Sequence, residues 1–158
     1  PNVVIDHAAI EVMLEEPWLV DVGFGDSFIT PLAMNRSDPQ PGGNAAYQLI
    51  ASPQGTTLTR LDEESVPAAL YRFKRVGQTL DAFEPASQAL QNDDDSHFRT
   101  KPFATRLIDG GPDRITIFAT EMTIIRSGVE ERTPLDPSQR AQALIEWMGF
   151  GDDVIQTA

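Results

Sequence analysis

An α+β fold dominated by antiparallel strands is what this 158-residue sequence predicts, and three observations carry the prediction. Short apolar, β-branched and aromatic runs, parted by turn formers, fill the chain up to Val76. The pattern changes after Gly77, where a short helical stretch begins. A capped amphipathic helix follows Asp136. Several short strands with turns between them are the pattern of a barrel or a sandwich.

Residues 8–14 (AAIEVML) set Ile10, Val12 and Leu14 on one face and Glu11 on the other, the period of a half-buried strand. Glu15-Glu16-Pro17 turns the chain, and residues 18–24 return as a second strand. In a hairpin centred near residue 15, position 7 lies opposite position 23 and diagonal to position 21, so His7 and Asp21 come within reach. Residues 35–45, rich in proline, glycine and small polar residues, predict a loop. Strands are predicted over 46–52, 56–61 and 68–76, with Ser52-Pro53-Gln54-Gly55 as a hairpin turn.

Asp81 to Leu90 predicts a helix, with Pro85 in its first turn and Ala86, Ala89 and Leu90 on one side. The acidic loop from Asn92 to Ser96 comes next. Two strands over 103–108 and 114–125 flank the turn Asp109-Gly110-Gly111-Pro112. In the closing helix Asp136 is the cap, Pro137 takes the first helical position and Gln139 completes a capping box. Ala141, Leu144, Ile145 and Met148 repeat at helical spacing, and Gly149 ends the helix.

With 41% apolar and 23% charged residues the chain belongs to the ordinary folded class. Twenty-four acidic against twelve basic residues give a net charge of −12, which argues against a general nucleic-acid or anionic-membrane surface. The sequence carries neither an apolar run long enough for a membrane span nor a basic-then-apolar leader, which predicts a cytoplasmic protein. Cysteine is absent, so these residues hold no disulfide, no thiolate metal site and no cysteine nucleophile. The start at Pro1, without methionine, is read as the start of a fragment.

The stretch W-L-V-D-V-G-F-G, residues 18–25, carries the most chemistry. An unpaired carboxylate at the end of an apolar strand costs several kcal/mol, on the order given by transfer data, so Asp21 needs a partner. His7 is the candidate. Elsewhere, Asn92-Asp93-Asp94-Asp95 lacks the glycine and the terminal glutamate of a calcium loop and reads as solvated. His97 has no companion at metal-ligand spacing, so no metal is predicted. Ser27 is the serine nearest Asp21, but no G-x-S-x-G elbow accompanies it.

Asp21-Val22-Gly23-Phe24-Gly25, with an aromatic-aliphatic strand before it and a histidine fourteen residues upstream, resembles the arylamine N-acetyltransferases. Pro31-Leu32, Leu70-Tyr71-Arg72-Phe73, Asp81-Ala82-Phe83-Glu84, Ser96-His97-Phe98 and Trp147-Met148-Gly149-Phe150 are similar to further landmarks of that family, in order, over nearly the whole chain. The resemblance implies a cysteine-proteinase-like architecture. Residues 1–80 would form an antiparallel β-barrel carrying the histidine and aspartate of a Cys-His-Asp triad, 81–92 a linking helix and 93–158 an α/β lid, with the N-terminal helical domain absent.

It also implies acetyl-CoA as co-substrate, no metal, and an arylamine or hydrazine as acceptor. His7 is then the base and Asp21 the residue that orients it. Gly25, Ser96, Arg99 and Lys101, with Arg106 nearby, fall at coenzyme-binding positions, and Phe24 at the acceptor pocket. Gly23 and Gly25 are expected to supply positive φ and close ligand approach. The sequence departs from the family where R-G-G-x-C and its helical domain are missing, and where Ile5-Asp6 replace the usual Arg-Thr-like pair. The nucleophile is therefore expected from that domain, in cis or on another chain, and these residues alone are expected to be inactive. An amide synthase of polyketide biosynthesis uses the same triad, and a non-catalytic binding or scaffold homologue keeps the fold without the cysteine.

Overall fold

The computed structural model describes residues 5–61 and 66–151, so residues 152–158 of the expected lid lie outside the described residues. The chain divides into two units, Pro1–Ala86 and Ser87–Ala158. In the first, β1 (Ile10–Met13), β2 (Pro17–Val20) and β3 (Leu32–Ala33) form a three-stranded sheet in that order. A second sheet takes β4 (Gln40–Pro41), β5 (Ala46–Ser52), β6 (Gly55–Leu61) and β7 (Pro67–Phe73), also in order. Every pairing is antiparallel.

The barrel expected over residues 1–80 is not closed among the described residues. β1 pairs with β2 alone and β7 with β6 alone, leaving two open sheets. Closure would need ladder hydrogen bonds between the edge strands; instead a side-chain ion pair links Arg75, just past β7, to Glu11 on β1. The two sheets still share one core, made by Leu19, Phe28, Leu32, Tyr47, Leu49 and Leu58.

The first hairpin has the predicted register. Ile10 faces Val20 and Met13 faces Pro17, an alignment that, continued outward, sets position 7 opposite position 23. The strands are shorter than predicted, so Asp21 is the first residue past β2. Ile10 and Leu14 are exposed and only Val12 is half-buried, contrary to the alternation. β1 is an edge strand, paired with β2 alone, and its predicted apolar side is largely open to solvent.

The predicted loop over 35–45 holds the short β4. Gln40 there is buried, and its side-chain amide accepts from Ala33 N–H at 2.8 Å and donates to Ala33 C=O at 3.0 Å. One side chain thus satisfies both groups of a β3 residue. Gly42 lies so close to the Tyr47 ring that a Cβ would stand 2.3 Å from its Cδ2, which reserves the position for glycine. On β7 the register slips: Leu58 faces Tyr71 but Thr59 faces Ala69, so Leu70 is an extra residue, a β-bulge.

The division between the units falls inside α1 (Glu84–Asn92), which follows a 3-10 turn at Leu80–Phe83. The second unit continues with α2 (His97–Thr100), β8 (Ala104–Leu107), β9 (Arg114–Ile117), β10 (Glu121–Arg126), β11 (Val129–Pro134) and α3 (Pro137–Met148). Its sheet has the order β11-β10-β9-β8. The single strand predicted over 114–125 is two strands, parted at Phe118–Thr120, and both β11 and α2 went unpredicted. Ser127 and Gly128, at φ 50° and 79°, make the two-residue turn between β10 and β11.

Capping of α3 is as predicted. Asp136 accepts from Gln139 N–H at 2.8 Å, the Gln139 side chain returns a bond to Asp136 N–H, and Gly149 ends the helix at φ 71°. The buried face is shifted from the predicted one: Ala143 and Leu144, with Trp147 and Met148, pack on Ile115 and Ile117. Among the described residues no helix is long and apolar enough to cross a membrane.

Candidate active site

Where β2 ends, the chain has an aspartate with a glycine two residues on, and the backbone turns back over the carboxylate. Asp21 Oδ1 accepts from the N–H groups of Gly23 and Phe24, each at 3.0 Å, the local closure that aspartate favours at turns. The other oxygen, Oδ2, lies 2.7 Å from His7 Nε2. The Asp21 side chain is fully buried, whereas that of His7 is 24% exposed. The sequence-predicted pair is therefore brought together, base toward solvent and acid behind it.

Burial pushes the Asp21 carboxyl up, but the hydrogen bond from His7, the nearby Tyr71 hydroxyl and the bonds from Phe24 N–H and Gly23 N–H outweigh it and hold the pKa at about 2. Asp21 is thus ionised near neutrality and can only accept. It follows that the neutral His7 ring carries its proton on Nε2, which leaves the Nδ1 lone pair to take a proton. The same hydrogen bond raises the His7 pKa against the lowering effect of burial, with the charges of Asp21 and Asp6 adding to the rise.

Two aromatic rings flank that base. The Phe24 ring meets His7 edge-on with centroids 5.5 Å apart, and the Tyr71 ring lies 5.1 Å away at a tilt. Phe24 and Tyr71 also touch, at 5.4 Å, and Phe73 extends the cluster beyond Tyr71. Burial, and then the Asp21 carboxylate, push the Tyr71 hydroxyl well above the usual phenol range, so it stays protonated. It sits close enough to lower the Asp21 pKa, yet without the geometry of a regular hydrogen bond.

Tyr71 belongs to the Leu70-Tyr71-Arg72-Phe73 landmark but is not among the site residues the sequence predicts. The usable signal was strand period: Tyr71 and Phe73 share one face of β7, and the bulge at Leu70 is what re-aims that face. The glycine expectation also needs correcting. Neither Gly23 nor Gly25 is among the positive-φ glycines, which are Gly43, Gly55, Gly110, Gly128 and Gly149. Gly23 instead stands against the imidazole, and Gly25 is exposed.

The remaining candidates lie in the second unit. The buried Ser96 hydroxyl donates to Leu90 C=O, which ties the start of α2 to α1. Arg99 donates to Asn92 C=O and pairs with Asp94 at 2.9 Å, closing the acidic loop on itself. Lys101 is exposed. Arg106 donates to Trp147 C=O at 2.8 Å, near the end of α3. His97 touches the Phe98 and Phe103 rings. Among the described residues no group of three His, Cys, Asp or Glu stands together in a way that could hold a metal ion.

A family model described as N-acetyltransferase matches residues 2–150. Among solved structures, the arylamine N-acetyltransferase of Mycobacterium marinum in complex with CoA superposes with a TM-score of 0.82 at 24% identity, covering 95% of this chain and 56% of that one. The enzyme from Salmonella typhimurium gives 0.83 at 21% identity, over 92% and 54% of the two chains. That from Mycobacterium abscessus gives 0.76 at 26% identity, over 96% and 57%. The present chain thus spans little more than half the length of these proteins. No curated protein matches the sequence.

Proposed function

The chain belongs to the N-acetyltransferase family, and from that premise we propose that it supplies the base and the orienting acid of an arylamine N-acetyltransferase. The observation that carries the reading is the 2.7 Å contact of His7 with a buried, ionised Asp21 inside the D-V-G-F-G stretch. A cysteine outside these residues is the nucleophile, because the sequence contains none. His7 Nδ1 takes the thiol proton, and the thiolate attacks the thioester carbonyl of acetyl-CoA. The carbon–sulfur bond to the coenzyme breaks, the coenzyme thiolate leaves with a proton, and the acetyl group stays on the cysteine.

An arylamine or hydrazine nitrogen then attacks that acetyl group, giving up a proton to His7 as the cysteine departs. Throughout, Asp21 holds the ring in one tautomer and stabilises the imidazolium without itself gaining the proton. Phe24, packed edge-on against His7, borders the acceptor position, and Gly25, Ser96, Arg99 and Lys101 remain the coenzyme-binding proposal. The CoA complex of the Mycobacterium marinum enzyme supports acetyl-CoA as co-substrate here.

The test joins this chain to a cysteine-bearing helical domain and measures acetyl-CoA-dependent acetylation of an aniline. The joined protein is expected to turn over, and Asp21→Asn to slow it by roughly 10³-fold or more, on the order of other triads. Turnover by the isolated 158 residues, or full activity in the Asp21→Asn protein, would overturn the reading.

A further inference from the structure

We propose that Gly23 is a positioning residue for His7, its missing side chain being the space that lets the imidazole reach Asp21. A Cβ at Gly23 would stand 3.3 Å from His7 Cε1, 3.8 Å from Nδ1 and 3.9 Å from Asp21 Oδ1. The first of these is tighter than ordinary van der Waals contact. Because φ at Gly23 is not positive, other residues could take its backbone shape, so conformation does not explain the glycine.

Two rings limit the imidazole's retreat. Tyr71 and Phe24 stand against it at 5.1 and 5.5 Å, so yielding a few tenths of an ångström means turning the imidazole. Cε1 lies between the two nitrogens, and a push there swings Nε2 off its 2.7 Å line to Asp21 and moves the Nδ1 lone pair with it. Gly23 acts on both partners, since its own N–H donates to Asp21 Oδ1 at 3.0 Å. One residue therefore grips the acid with its backbone and clears the base by lacking a side chain. Its consequence for acetyl transfer rests on the function proposed above; the geometric claim does not.

The chain has two histidines, His7 and His97, so the test is an NMR titration with ¹³C-labelled histidine. The unmodified chain should give a His7 midpoint above the ordinary value of about 6.5. Gly23→Ala should lower that midpoint by about 0.5–1 unit, a roughly three- to tenfold fall in proton affinity, as the hydrogen bond to Asp21 weakens. Gly77→Ala, at a glycine with nothing within 4 Å of its Cβ position, should leave it unmoved. A folded Gly23→Ala chain with the unmodified midpoint would overturn the proposal.

If the alanine chain does not fold, the unmodified chain decides: a nuclear Overhauser contact between Gly23 Hα and His7 Hε1 supports the proposal, and its absence overturns it. The transferase reading answers to a different assay. Inactivity of the cysteine-joined protein would strike that reading and leave the ring geometry standing.

Discussion

His7–Asp21 in the first unit and Arg99–Asp94 in the second are both N–H-to-carboxylate pairs of similar length, 2.7 and 2.9 Å, in surroundings that differ in kind. The Asp21 side chain is fully buried and receives two backbone N–H groups besides the imidazole. The Asp94 side chain is 96% exposed, and water competes for every contact it makes. Desolvation strengthens each hydrogen bond to Asp21 and makes its loss costly, whereas an exposed pair is screened and worth little. Pairing alone therefore does not mark a site. A carboxylate withdrawn from water, with its donors fixed in advance, does.

Removing the acids separates the two cases most sharply. Asp21→Ala leaves His7 Nε2 and the Gly23 and Phe24 N–H groups without their acceptor, and should cost about 2–4 kcal/mol of stability. Asp94→Ala should cost under about 0.5 kcal/mol. Urea unfolding of the two variants beside the unmodified chain checks both, and equal losses would erase the distinction.

Acid titration gives the next largest effect. The folded Asp21 pKa is depressed to about 2, so the stability it contributes is present above about pH 4 and is lost as pH falls toward 2. The loss is about 2 kcal/mol, and Asp21→Asn should remove that part of the pH dependence. His7 has the opposite sign: its folded pKa is raised, so its contribution is present below about pH 6.5 and is lost as pH rises through the folded value. Urea midpoints measured from pH 2 to 9 should show both limbs, and a flat profile below pH 4 would contradict the burial of an ionised Asp21.

Much of this was legible in the sequence because local rules governed it. The hairpin register followed from the turn between Met13 and Pro17, at the centre the sequence predicts, and it placed His7 beside Asp21. Asp136, Gln139 and Gly149 capped α3 as such residues do. What escaped was set by tertiary structure. Ile10 and Leu14 alternate like a buried face, but on an edge strand that pattern says nothing about whether a layer covers it. The break at Phe118–Thr120 has no glycine or proline to announce it, whereas the turn before β11 does, at Ser127-Gly128. Tyr71 reaches the site through a bulge at Leu70, a slip of register that no local pattern encodes. Gly23 is read correctly only once the imidazole beside it is seen.

The central claim is that a buried, ionised Asp21 fixes which His7 nitrogen holds the proton. A long-range ¹H–¹⁵N correlation on the histidine side chains, recorded above the His7 midpoint, tests it most directly. The pairing predicts a His7 ring protonated on Nε2 with a bare Nδ1. A ring protonated on Nδ1, or one averaging both forms as a free imidazole does, would contradict it.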